Sequence, residues 1–79
     1  MTIHPVKLKY NKKLLHRAIA NDSGLNIRLY RMADPMYVGA IIITDELKDS
    51  YRGYLIRLTH EEFKQGALQA LSAEDIPGT

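Results

Sequence analysis

The chain has no cysteine and no tryptophan, one phenylalanine and three prolines in 79 residues. Without cysteine there is neither a disulfide nor a thiolate zinc site, so packing or an oligomer interface must hold a domain of this size together. The longest uninterrupted apolar stretch, Met36 to Ile43, includes Gly39 and falls far short of the roughly 20 residues needed to cross a bilayer. Met1-Thr2-Ile3-His4-Pro5 has neither the charged start nor the apolar run of a signal peptide. The expectation is a cytoplasmic protein with no membrane partner. Gly39, Gly53 and Gly66 are isolated, so no glycine-rich phosphate loop is present in the sequence, and no internal repeat or linker divides the chain. One domain over residues 1–79 follows, with an ordered core over about 5–73 and a flexible tail over 74–79, the stretch that contains Pro77-Gly78.

What is present is a balanced composition, 46% hydrophobic and 25% charged with a net charge of +2. The charge is unevenly placed. Residues 1–31 carry Lys7, Lys9, Lys12, Lys13, Arg17, Arg28 and Arg31 against Asp22 alone, while the remainder is net acidic. Such a polarity can orient a small domain on an acidic partner.

Val6-Lys7-Leu8-Lys9-Tyr10 alternates as a short strand does, with Pro5 at its start. Asn11 is placed to cap a helix running to about Asn21, with Leu14, Leu15, Ala18 and Ile19 as its apolar arc and Lys12, Lys13, His16 and Arg17 on the other side. Two lysines in its first turn would oppose the helix dipole. Asn21-Asp22-Ser23-Gly24 closes this helix, and Leu25 to about Ala33 alternates again. Asp34-Pro35 marks a turn, and the β-branched run to Thr44 reads as a central strand. A loop over 45–50 and a strand over Tyr51 to Leu58 follow. Thr59-His60-Glu61-Glu62 is a capping box, with Leu58 and Phe63 at the staple positions of a helix to about Ser72. The expected fold is therefore α+β, one small domain in the order β-α-β-β-β-α, with two helices packed on one face of an antiparallel sheet.

Turn lengths give a register. A two-residue turn at Asp34-Pro35 sets Leu29 opposite Ala40 and Ile27 opposite Ile42. A six-residue loop over 45–50 sets Ala40 opposite Leu55. One face then carries Leu25, Ile27, Leu29, Val38, Ala40, Ile42 and Leu55 as the seat of the helices. The other carries Arg28, Tyr30, Tyr37, Ile41, Ile43, Arg52, Tyr54 and Ile56. Tyrosine and arginine are enriched among interface residues that dominate binding energy, so Arg28, Tyr30, Tyr37, Arg52 and Tyr54 are the expected partner-binding set. Lys7, Lys9, Lys12, Lys13, His16 and Arg17 form an alternative basic patch for nucleic acid.

Catalytic patterns are sparse. His4, His16 and His60 fall on three different elements without metal-ligand spacing, and Ser23, Ser50 and Ser72 have no neighbouring base. Glu61 and Glu62 favour the first turn of a helix and need no catalytic reading. No catalytic, cofactor or metal site is expected, and the chain reads as a non-enzyme. The order α-β-β-β-α expected over residues 12 to 72 resembles the double-stranded-RNA-binding domain. That family opens its second helix with a basic run on phosphates. This one opens with His60-Glu61-Glu62 and has Lys64 as its sole cation, and Asp34-Pro35 stands in place of the family's Gly-Pro-His loop. The resemblance stops at topology, which does not carry function. By elimination and size, the expected function is protein–protein interaction, as in the small inhibitors and regulators that phages and mobile elements direct at host or defence complexes such as CRISPR effectors. A nucleic-acid accessory role is the alternative, and homodimerisation is compatible with either.

Overall fold

The computed structural model describes residues 1–9 and 14–77, the side chain of His16 excepted. Five strands, β1 (Thr2–Lys9), β2 (Leu14–Ile19), β3 (Ile27–Tyr30), β4 (Tyr37–Glu46) and β5 (Ser50–Thr59), form one sheet in the order β1-β5-β4-β3-β2. Every pairing is antiparallel. Two helical turns follow, α1 (His60–Lys64) and α2 (Ala67–Ala70), and then a 3-10 turn over Ala73–Asp75. The class is α+β. No helix among the described residues is long and apolar enough to cross a membrane.

The helix expected over 12–21 is absent as such, because Leu14–Ile19 pairs with β3 as an edge strand. The reason lies in the spacing. Leu14 and Ala18, like Leu15 and Ile19, are four residues apart, which makes one arc on a helix. Four is also a multiple of two, so on a strand the same residues divide between two faces. Here Leu14 is buried against Ile41 and Ile43, while Ile19 packs against the core on the opposite face. With β2 in place of a helix, the likeness to the double-stranded-RNA-binding topology is lost. Lys12 and Lys13 lie outside the described residues.

The face that carries the helical turns is the main core. Ile27, Ala40, Ile42, Ile56 and Leu58 from the sheet are buried with Leu68, Leu71 and Ile76 from the C-terminal segment. The helix expected to run from His60 to Ser72 is instead broken at Gly66, whose φ of 82° is left-handed. That break turns Leu68 inward behind Phe63, which is half-buried on the same core. The capping box is formed: the Glu62 amide donates to the Thr59 hydroxyl at 3.1 Å, and the Thr59 amide donates to the Glu62 carboxylate at 2.9 Å. Beyond α2, Ile76 is only 6% exposed and Ser72 caps the 3-10 turn through Asp75.

Asn21, read from the sequence as part of a helix end, fastens the β2–β3 turn to the C-terminal segment. Its side-chain amide donates to the carbonyls of Leu68 at 2.7 Å and Leu71 at 3.0 Å, while its oxygen accepts from the amides of Ser23 and Leu25. The Asp22 amide adds a bond to the Gln69 carbonyl. An asparagine supplies both donors and an acceptor, which an aspartate at this position would not.

The β3–β4 register is the expected one, Ile27 opposite Ile42 and Leu29 opposite Ala40. The β4–β5 register is displaced by one residue, so that Ala40 faces Ile56 and Ile41 faces Leu55. Two local features cause the slip. The hairpin closes tightly, with the Leu47 amide bonded to the Ser50 carbonyl at 2.8 Å, and Thr44 forms a bulge between the pairs Ile43–Gly53 and Asp45–Arg52. Gly53 is required at the bulge, where a Cβ would lie 1.8 Å from the Ile42 carbonyl oxygen. A slip of one residue moves every side chain of a strand to the other face. Ile56 therefore joins the main core and Tyr54 packs against it, while Leu55 leaves the expected core for the second face.

The sheet also curls. Lys9 and Leu14 are five residues apart, so their Cα atoms lie within about 18 Å of each other. Strands at opposite edges of a flat five-stranded sheet would be about 19 Å apart. Leu8 of β1 and Leu14 of β2 accordingly line one tight apolar space with Tyr30, Ile41 and Tyr51. Pro5 lies inside β1 rather than at its start, and an edge strand tolerates it because one side of β1 has no sheet partner.

Candidate functional site

The curl covers only half of the second face. At one end, Leu14, Ile41 and Ile43 are buried beneath Val6, Leu8 and Tyr51. At the other end the strands pair Thr2 with Arg57, His4 with Leu55 and Gly39 with Arg57, and their outward side chains form an open recess. Thr2, His4, Met32, Leu55 and Arg57 line it.

Each lining residue has a local cause. Gly39 leaves room for Met32, since a Cβ on Gly39 would fall 2.5 Å from the Met32 Cγ. Arg57 and Tyr37 are diagonal neighbours on adjacent strands, and the guanidinium carbon lies 4.6 Å from the Tyr37 ring centroid. This cation–π contact is worth about 0.5–1 kcal/mol at an exposed site. It favours a guanidinium position over the Tyr37 ring, and Arg57 is exposed. Tyr37 itself is positioned by the β3–β4 turn, where the Asp34 carboxylate accepts from the Met36 amide at 2.9 Å and the Asp34 carbonyl accepts from the Tyr37 amide at 3.2 Å. His60 Nε2 braces the turn by donating to the Pro35 carbonyl at 2.9 Å. Met36 projects from the same turn, 71% exposed.

The expected partner-binding set is divided by the fold. Tyr37 borders the open recess. Tyr30 lines the covered end of the second face, and Arg28, on that same face, lies 3.8 Å from the Glu46 carboxylate. Arg52 and Tyr54 are corrected to the helix-bearing face: Tyr54 is half-buried on the main core, and Arg52 is exposed beyond it. His4, Met32, Leu55 and Arg57 were not in the expected set. Leu55 and Arg57, two residues apart, share a face; the expected register set Leu55 on the helix-bearing side, and Arg57 was not singled out.

Of the alternative basic patch, the side chains of Lys7, Lys9 and Arg17 are among those described. Lys7 and Lys9 are exposed on edge strand β1, and Arg17 is exposed on β2 at the opposite edge, on a strand rather than a helix. Lys7 stands directly opposite Arg52, but Asp45 is the cross-strand partner of Arg52 on its other side, and Asp49 lines an open hollow with Lys7 and Lys9. Lys12, Lys13 and the His16 side chain lie outside the described residues.

Among the described residues, one carboxyl has a shifted titration. Glu62 has its carboxyl held below the ordinary glutamate value, first by the bond from the Thr59 amide and then by the amino group of Met1, which lies 3.0 Å away. This is a capping role. Among the described residues no group of three His, Asp or Glu side chains could hold a metal ion. No protein-family model matches this sequence, and no curated protein or solved structure matches it.

Proposed function

We propose that the chain is a small binding protein that acts by docking on another protein through the open half of its second sheet face. The observation that carries this reading is the Arg57–Tyr37 stack beside Leu55 and Met32 on a sheet centre that neither the helical turns nor the curl covers. Arginine, tyrosine and methionine are enriched at protein interfaces, and an ordered arginine loses less freedom on binding than one that is free to rotate. A regulator or inhibitor of a larger complex, of the kind phages and mobile elements use, fits this mode of action.

The test is affinity capture from the native host with the wild-type chain, Leu55→Asp and Arg52→Glu side by side. Recovery of one partner by wild type and Arg52→Glu but not by Leu55→Asp supports the reading. Equal recovery by all three would remove the second face from consideration. A mass that rises with concentration in wild type and not in Leu55→Asp would identify the partner as a second copy.

Nucleic-acid binding is the second reading, favoured by the exposed cations Lys7 and Lys9 of β1 with Arg52 opposite Lys7 on β5. A mobility shift at low salt that disappears in Lys7→Glu with Arg52→Glu would support it.

A further inference from the structure

We infer that the open recess takes an acidic and aliphatic segment of the protein partner, with a carboxylate on Arg57 and an aliphatic side chain against Leu55 and Met32. This rests on the reading of the second face as the docking surface, and it adds the chemistry of what docks.

The argument starts from charge. The residues around the recess are Thr2, His4, Met32, Tyr37, Leu55 and Arg57, none of them acidic. The ion pairs among the described residues join Met1 to Glu62 and Arg28 to Glu46, and neither involves Arg57. The acids that follow Arg57 and the acid that precedes Tyr37 have other partners. Glu62 caps α1, Asp34 accepts from the Met36 amide, and Glu61 accepts from Gln65. Arg57 is thus an exposed cation over the Tyr37 ring, with no ion pair among the described residues.

Geometry then selects the anion. A guanidinium is a planar fork that presents two parallel N–H donors, which match the two oxygens of a carboxylate. On the neighbouring strand β1, two residues beyond Thr2, the cross-strand partner of Arg57, His4 adds a second polar side chain. Leu55 is half-buried at the centre of the recess and Met32 flanks it in the space Gly39 leaves, so the remainder of the surface suits an aliphatic side chain. Nucleic acid is a poorer fit here. Its affinity grows with the number of phosphates neutralised, and a single guanidinium would supply a salt dependence of only about one phosphate.

The experiment selects displayed random peptides of about twelve residues on the immobilised full chain and measures the enriched peptides by fluorescence anisotropy. The expected consensus places Asp or Glu within a few residues of Leu, Ile, Val or Met. Affinity should fall at least tenfold in Arg57→Ala and remain unchanged in Arg52→Ala on the opposite face, with thermal melts confirming that both variants fold. Selection on Arg57→Glu should lose the acidic residues. Peptides that need Leu55 but carry no acid, or that bind Arg57→Ala as well as wild type, overturn the acidic partner and leave the docking surface standing. Peptides indifferent to both Leu55→Asp and Arg57→Ala, or no enrichment, overturn both. Binding of a labelled single-stranded oligonucleotide that depends on Arg57 would assign the recess to phosphate instead and overturn the peptide.

Discussion

The two faces of the sheet are built from the same strands and have different fates. On the first, Val38, Ala40 and Ile42 of β4 meet Leu58, Ile56 and Tyr54 of β5, and the C-terminal segment closes over them with Leu68, Leu71 and Ile76. On the second, Ile41 and Ile43 are sealed by the edges of the curled sheet, whereas Leu55 and Arg57 at the other end have no such cover. Residues 39–43 of β4 are all buried for different reasons: Ala40 and Ile42 lie in the main core, Ile41 and Ile43 lie under the curl, and Gly39 lies against Met32. Alternation shows in β5, where Ile56 and Leu58 are buried and Arg57 and Thr59 are exposed. A covered face fixes stability, and an uncovered one is free to carry a surface for another molecule.

The largest expected effect tests the bulge that sets the two faces apart. Gly53→Ala drives a Cβ into the Ile42 carbonyl, so the bulge or the whole pairing must move. A loss of about 4 kcal/mol, in the tail of single-mutant effects, is expected by chemical denaturation. A near-neutral result would show that the β4–β5 register is otherwise.

Neighbouring residues on opposite faces give the next test. Ile56→Ala should cost about 2–5 kcal/mol, as a fully buried aliphatic does. Leu55→Ala, from the open recess, should cost distinctly less. Equal midpoint shifts for the pair would mean that the second face is covered in solution, for instance by a second copy.

Asn21→Ala removes the amide that holds the carbonyls of Leu68 and Leu71, and about 1–3 kcal/mol should be lost. Hydrogen exchange should localise the opening to residues 60–76, exposing the first face while the second keeps its protection. Uniform loss of protection would instead make the two faces one cooperative unit.

The smallest effect belongs to the cap. Thr59→Ala should cost about 0.5–2 kcal/mol. Because the Glu62 carboxyl is lowered in the fold, its contribution is present at neutral pH and above the ordinary glutamate value of 4.5, and is lost as pH falls through the lowered folded value. Glu62→Gln should flatten the acid limb of stability measured between neutral pH and acid. An unchanged acid limb would mean that the amide bond from Thr59 does not favour the charged form.

Several elements were legible because their signals are local. The Thr59–Glu62 capping box, the Asp34-Pro35 turn and the β-branched run of β4 depend on residues a few positions apart, and each appears where the sequence sets it. Leu14–Ile19 was not legible from periodicity, since a four-residue spacing satisfies both elements. Lys12-Lys13 in what would be a first helical turn was the one local sign against a helix. The candidate surface was half legible. Tyr37 falls on the second face, where its register put it, while Leu55 was displaced by the one-residue slip at Thr44 and the tight Leu47–Ser50 closure.

The sequence by itself determined a single α+β chain with a β-branched central strand, a capped C-terminal helical turn and a charge divided between its halves. Tertiary structure decided which face each residue of β5 takes, that residues 14–19 extend as an edge strand, and that Ile76 returns to the core. The reason is physical. Caps and turns are stabilised by atoms close in sequence, whereas a bulge, an edge pairing or a recess exists only once distant backbones compete for the same hydrogen bonds and buried volume.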